Sequence, residues 1–218
     1  MRLKLLHKWG VGVDNLDLDA ARRLGITVAR TTGSNALSVA EFTIGLMLAA
    51  LRFHAFGHHH LVQGEWRGIS RLPAEPLQLS GKTVGIVGLG AIGQALARLL
   101  KGFGCRIVYT KRTAIDAGLA AELGATRVTL DELLAMSDVV SLHCPLTAET
   151  ADMIDRVALA RMKPTAVLVN VARGGVVVER DLADALRRRV IRGAAMDVFS
   201  IEPLPADSEL LGLDTIVV

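Results

Sequence analysis

Residues 82–93, KTVGIVGLGAIG, are the stretch on which the fold reading turns. The run 83–87 is short and apolar, as a buried parallel strand requires, and 94–100 (QALARLL) has the spacing of an amphipathic helix. Gly88, Gly90 and Gly93 therefore fall at a strand-to-helix turn, the context in which G-x-G-x-x-G signals a dinucleotide site and not a chance spacing. Gly88 permits the tight turn, Gly90 lets a pyrophosphate approach the backbone, and Gly93 lets the helix pack closely on the strand. The helix N-terminus adds free N–H groups and a partial positive charge. A glycine-rich turn with no ligand would account for one or two of these residues, hardly for three in register.

From residue 82 onward, strand and helix patterns alternate to the end of the chain. Strands are expected at 83–87, 106–110, 126–128, 138–142, 166–170, 193–197 and 215–218, with helices near 92–102, 115–123, 130–136, 155–162 and 179–190. This predicts an α/β fold, a Rossmann-type doubly wound parallel sheet that binds ligands beyond the carboxyl ends of its strands.

The first thirty residues form a smaller unit of the same kind. A strand at 4–6, a glycine-broken loop at 9–15, a helix at 16–24 with acids early and arginines late, and a strand at 26–29 follow in order. One strand-helix-strand unit cannot bury both its faces, so it either joins the main sheet or is the last piece of another domain. A long helix over 38–53 comes next, then the His-rich segment 54–68, and Pro73, Pro76 and Ser80-Gly81 mark a linker. His58, His59 and His60 are adjacent and would point different ways on a helix, where a metal site needs i, i+4 spacing. They read as a solvated or subunit-contacting surface, and no metal is expected.

Composition excludes several classes. Of 218 residues, 51% are hydrophobic, which is ample for a buried core. The formal charge of +3 and the pI near 9.1 come from scattered basic residues, so no nucleic-acid partner is expected. Cys105 and Cys144 form no disulfide framework and fit a reducing cytoplasm. The longest apolar stretch, 36–51, contains Glu41 and falls short of the roughly 20 residues of a membrane span. It reads as a buried helix, with no membrane partner.

The residues at the strand ends carry the chemistry. A NAD site usually places an acid after its second strand, to accept hydrogen bonds from the ribose 2′-hydroxyl. Lys111 and Arg112 stand there instead and suit a 2′-phosphate, so NADP(H) is expected, with NAD(H) as the alternative. His143 is a tempting proton donor by its titration range, but its neighbours place it beside the cofactor. Arg173, flanked by Gly174 and Gly175 past a strand end, can clamp a planar carboxylate with its fork of donors. Asp197 ends the next strand and Glu202 follows it; an arginine and acids at strand ends over a nucleotide site read as an active site.

With these residues in view, the chain resembles the D-isomer-specific 2-hydroxyacid dehydrogenases, which include glyoxylate/hydroxypyruvate reductases, phosphoglycerate dehydrogenases and C-terminal-binding corepressors. The likeness covers essentially the whole chain. It rests on Gly10-Val11-Gly12-Val13-Asp14-Asn15, the fingerprint of Gly88, Gly90 and Gly93, Val140-Ser141-Leu142-His143-Cys144-Pro145-Leu146-Thr147, and Asn170-Val171-Ala172-Arg173-Gly174-Gly175 with Asp197-Val198-Phe199 and Glu202-Pro203. The resemblance implies that Arg173 binds the substrate carboxylate and carbonyl, that Glu202 orients a catalytic histidine and raises its pKa, and that the backbone at Val11 and Gly12 receives the carboxylate. It further implies that Ala91, Ile92, Cys144, Pro145, Val171 and Ala172 line the cofactor and that Asp197 faces the nicotinamide.

The same resemblance divides the chain into 1–35, a remnant of a flavodoxin-like substrate domain; 36–75, an interdomain helix and dimerisation arm; and 76–218, the dinucleotide-binding domain. It implies a homodimer joined by the arm at 54–67, and a chain truncated at both ends relative to the family. The family's catalytic histidine follows the last strand, and none of the six histidines here matches it. Two functions follow: reduction of a small 2-oxo acid such as glyoxylate or hydroxypyruvate, or a non-catalytic cofactor-binding or dimerising module.

Overall fold

The computed structural model describes residues 3–66 and 72–218; Arg67 of the expected arm lies outside them. Seven parallel strands form the main sheet: β3 (Thr83–Val87), β4 (Arg106–Thr110), β5 (Ala125–Arg127), β6 (Val139–Leu142), β7 (Val167–Asn170), β8 (Gly193–Met196) and β9 (Ile216–Val217). Their order across the sheet is β5-β4-β3-β6-β7-β8-β9, so β3 pairs with β4 on one side and β6 on the other. The chain reverses its direction of winding there, and a crevice must open where the connections leave in opposite directions.

Helices cover both faces, as an all-parallel sheet demands. On one face α2 (Ala36–Arg52), α4 (Ala91–Lys101) and α5 (Ala117–Leu123) pack on Val84, Ile86, Val139, Val167 and Val169. On the other, α6 (Leu130–Met136), α7 (Arg156–Arg161) and α8 (Glu179–Arg187) pack on Val108, Val140, Leu142 and Leu168. Strands β6 and β7 are buried at every position, which explains their largely apolar sequence; the two polar residues, Ser141 and Asn170, are each hydrogen-bonded. Among the described residues, no single helix is long and apolar enough to cross a membrane.

One feature that the sequence leaves open is resolved, and two differ from expectation. The N-terminal unit, β1 (Leu5–Lys8), α1 (Leu18–Arg23) and β2 (Thr27–Arg30), makes its own two-stranded parallel sheet and does not extend the main one. The start of the His-rich segment is helical: α3 (His54–Val62) begins after Phe53, whose left-handed conformation (φ 56°) ends α2, and the two helices meet at a 67° bend. None of its residues is buried, so the segment lacks the apolar period that announces a helix. Strand β5 ends one residue early because Thr129 is committed to the next helix, where it and Glu132 form a capping box.

The end of α2 is fastened to the main sheet by one buried cation. Arg192, just before β8, donates from Nη2 to the carbonyls of Leu51 and Glu75 and lies 4.8 Å over the Phe53 ring. Arg189 adds a bond to the Pro73 carbonyl (3.3 Å). Burial pulls the Arg192 pKa down, and the Glu75 charge opposes this. Arg192→Met keeps the stem volume but leaves the carbonyls unserved, and should lower stability by about 1–3 kcal/mol. Urea unfolding would check it; an unchanged midpoint would mean that water serves those carbonyls equally well.

Candidate functional site

The glycine turn is built as its spacing requires. Gly88 sits at φ +95°, and a side chain there would place its Cβ 2.7 Å from the backbone of His143 and Cys144, so both the turn and the approach of β6 demand glycine. A Cβ at Gly93 would stand 2.6 Å from the Gly88 carbonyl oxygen, which shows how closely α4 seats on the turn. At Gly90, the N-cap of α4, a Cβ would meet nothing within 4 Å. That open space lies before the first N–H groups of the helix, which have no partners within it, and makes a cradle shaped for an anion.

The cradle is one wall of a crevice of about 1010 Å³, at the upper limit of the roughly 300–1,000 Å³ of ligand pockets. Gly90, Ala91 and Ile92 line it from α4, Cys144 and Pro145 from beyond β6, and Val171, Ala172 and Arg173 from beyond β7. The opposite wall is the loop before α1, including Val11 and Gly12.

Arg173 joins the two walls. Asn170 fixes its loop, accepting from the Ala172 N–H (3.0 Å) and donating to the Arg173 carbonyl (2.9 Å). The guanidinium donates from Nη1 to the Ala172 carbonyl (2.7 Å), from Nε to both Asp14 carboxylate oxygens (3.1 Å each), and from Nη2 to Asp14 Oδ1 (3.1 Å). Gly12 lies directly against it, since a Cβ there would fall 1.6 Å from Nη2. The hydrogen bond from Arg173 holds the Asp14 carboxyl below the usual range, against partial burial.

Residues 44–218 match the family model "D-isomer specific 2-hydroxyacid dehydrogenase, NAD binding domain". The chain belongs to this family. It is 42% identical over 217 residues to a D-3-phosphoglycerate dehydrogenase of Mycobacterium bovis, covering 100% of this chain and 40% of the relative. It is likewise 42% identical over 218 residues to a glyoxylate reductase of Korarchaeum cryptofilum, covering 99% and 65%. Among solved structures, a Staphylococcus aureus NAD-dependent formate dehydrogenase in complex with NAD superposes with a TM-score of 0.84 at 39% identity, covering 94% of this chain and 61% of that one. The chain thus spans from two fifths to about two thirds of the length of these relatives.

Several residues singled out from sequence stand apart from the crevice of this 2-hydroxyacid dehydrogenase chain. Asp197 and Glu202 do not line it. Their loop packs on Gly174, where a Cβ would lie 1.9 Å from the Phe199 carbonyl carbon, so it is close to Arg173's loop. Glu202 instead accepts a bond from the Phe199 N–H (3.0 Å). Lost hydration and then the Glu202 charge raise the pKa of Asp197. Lys111 and Arg112 lie beyond β4, also outside the crevice lining.

His143 does line the crevice, with Nε2 sharing a 2.8 Å hydrogen bond with Ser141 Oγ. Burial pushes its pKa down to about 4, so the ring is neutral at pH 7 and holds no proton to give as an imidazolium. Burial also pushes the Cys144 thiol up to about 11, leaving it an unreactive packing group. Asp14 lies in the 10–15 motif, but its tie to Arg173 spans 159 positions, which no local spacing reveals.

The sign of the Asp14 shift sets a pH dependence. Because the folded pKa is depressed, the carboxylate's contribution is present above its ordinary value near 3.8 and is lost as pH falls through the folded value. Asp14→Asn should therefore speed amide exchange in 10–16 at pH 7 and flatten the acid dependence that the wild type shows below about pH 4. Hydrogen exchange by mass spectrometry checks this; identical profiles would show that the pair does not hold the loop.

Proposed function

We propose that this chain serves a dehydrogenase that exchanges a hydride between NADP(H) and a small 2-oxo or 2-hydroxy acid, glyoxylate or hydroxypyruvate being the class intended. The observation that carries this reading is that the open cradle at Gly90 and the guanidinium of Arg173 line one crevice. The cradle fits a pyrophosphate, and Gly88, Gly90, Ala91, Ile92 and Gly93, with Cys144, Pro145, Val171 and Ala172, would hold the dinucleotide. A bound nicotinamide supplies the hydride chemistry.

The chain's own residues would do the rest. Arg173 would take the substrate carboxylate and polarise the carbonyl, with the backbone of Val11 and Gly12 receiving the other side of the acid. Asp197 would face the nicotinamide, and Glu202 would support an imidazole acting as proton donor, a role worth about 10²–10⁴-fold in rate. Among the described residues no histidine is hydrogen-bonded to Glu202, so we expect cofactor binding with slow turnover from residues 1–218 alone.

In this reading 1–35 belongs to a flavodoxin-like substrate domain, 36–75 to the interdomain helix and arm, and 76–218 to the dinucleotide domain. The arm would join a second copy of the chain, since Leu61, Val62 and Trp66 are each more than half exposed. The two unpaired cysteines fit a reducing cytoplasm.

The cofactor choice rests on β4, which ends without an acid and runs into half-buried Lys111 and exposed Arg112. Quenching of Trp9, on the loop entering the crevice, would compare the cofactors directly. NADPH should bind about tenfold tighter than NADH, a difference of about 1.4 kcal/mol, and Arg112→Asp should weaken NADPH selectively. Tenfold tighter NADH would reverse the choice. Glyoxylate should then perturb the wild-type complex but not that of Arg173→Ala; an equal response from both would remove the 2-oxo acid from the reading.

A further inference from the structure

We infer that Arg127 is a positioning residue for the 2′-phosphate end of the cofactor: it fixes the turn after β4 so that Lys111 and Arg112 present their charges to one phosphate. This rests on the NADP(H) reading above. Arg127 is the last residue of β5 and lies in register beside Tyr109 of β4, at the carboxyl edge of the sheet. Its Nη2 donates to two successive main-chain carbonyls, those of Lys111 (3.0 Å) and Arg112 (3.1 Å).

Successive carbonyls of an extended strand point to opposite sides, so one nitrogen can reach both only where the chain has bent. The bend is at Arg112 and Thr113. Among the described residues no backbone–backbone hydrogen bond ties down 111–115; Ile115 packs on the core, and the hydrogen bonds that hold the bend itself come from the guanidinium of Arg127. A lysine ammonium also has more than one N–H to give, but it ends one bond short of Nη2 on a freely rotating stem, so it would hold the two carbonyls less firmly.

The two cations so presented are available. Neither Lys111 nor Arg112 is in a salt bridge among the described residues. The acid nearby, Glu149, is engaged by the Thr147 hydroxyl (2.6 Å), which with a smaller contribution from Arg112 keeps its carboxyl ionised below the usual range. Two like charges on adjacent residues repel, and a turn left free would let them part. A turn fixed during folding incurs no ordering cost when the phosphate arrives. Arg127 is itself exposed at the same edge and adds a third positive charge.

The test needs binding only, not turnover. Wild type, Arg127→Ala and Arg127→Lys are titrated with NADPH, NADH, 2′,5′-ADP and 5′-AMP, with melting temperature recorded for each. The expected result is that Arg127→Ala weakens NADPH and 2′,5′-ADP about tenfold and shifts NADH and 5′-AMP far less, while Arg127→Lys recovers only part of the loss. Full recovery by lysine would mean that charge alone matters and would overturn the positioning role. A wild type that prefers NADPH, with variants that lose nothing or lose both cofactors equally, would also overturn it and leave the NADP(H) reading standing. A wild type that prefers NADH would fell that reading and this inference together.

Discussion

The end of β3 and the end of β6 approach so closely at Gly88 that the space beside its backbone is already filled by the backbone of His143 and Cys144. Everything around the crevice follows from that contact. Because β3 is the strand from which the sheet is wound in both directions, the helices that follow β3 and β6 cannot close over its end, and the gap they leave is the crevice. Gly93 lets α4 settle on the turn, and this puts the helix N-terminus, with its unpartnered N–H groups, at the rim of the gap. A larger residue at position 88 would push β6 away and displace the Cys144 wall with it.

The clasp between Asp14 and Arg173 is the second constraint, and it differs in kind. Its side chains remain 45% and 38% exposed, so as an ion pair it adds little to stability. Its value is geometric. Asp14 takes the Nε edge of the guanidinium and Ala172 takes an Nη1 proton, which leaves part of the fork for an incoming carboxylate. Gly12 without a side chain allows the loop to lie flat against that fork. The contact also links a two-stranded unit of its own sheet to the main sheet, so the crevice has a second wall.

How much of this the sequence disclosed depended on the range of the interaction. The strand-turn-helix at 83–101 and the alternation after it are local patterns, and their strands were placed to within a residue or so. The separation of β1 and β2 from the main sheet is not legible in the sequence, because a single strand-helix-strand unit reads the same whether it joins a sheet or stands beside it. Helix α3 was missed because none of its faces is buried, so burial imposed no period on its sequence. Asp14, Arg127 and Arg192 escaped for a common reason: each acts on a partner far along the chain, and Arg127 and Arg192 act on carbonyls, which carry no side-chain signature.

The distribution of charge around the crevice then separates two tasks. Its floor is apolar or neutral at pH 7, with His143 and Cys144 both held uncharged by burial. Its charged residues stand around the rim: Arg173 and Asp14, with Lys8, Asp17, Asp19 and Arg30 on the N-terminal wall, and Lys111, Arg112 and Arg127 outside the lining after β4 and β5. A charged floor would face an uncompensated desolvation cost under any bound molecule, whereas charges at the two ends meet anionic groups that are themselves only partly desolvated. Such a layout suits an elongated ligand with an anion at each end and a neutral middle over β3 and β6. It also predicts where change is tolerated: the two ends can exchange one charge pattern for another and alter which anions they favour, while the turn between them, set by the contact at Gly88, has no such freedom.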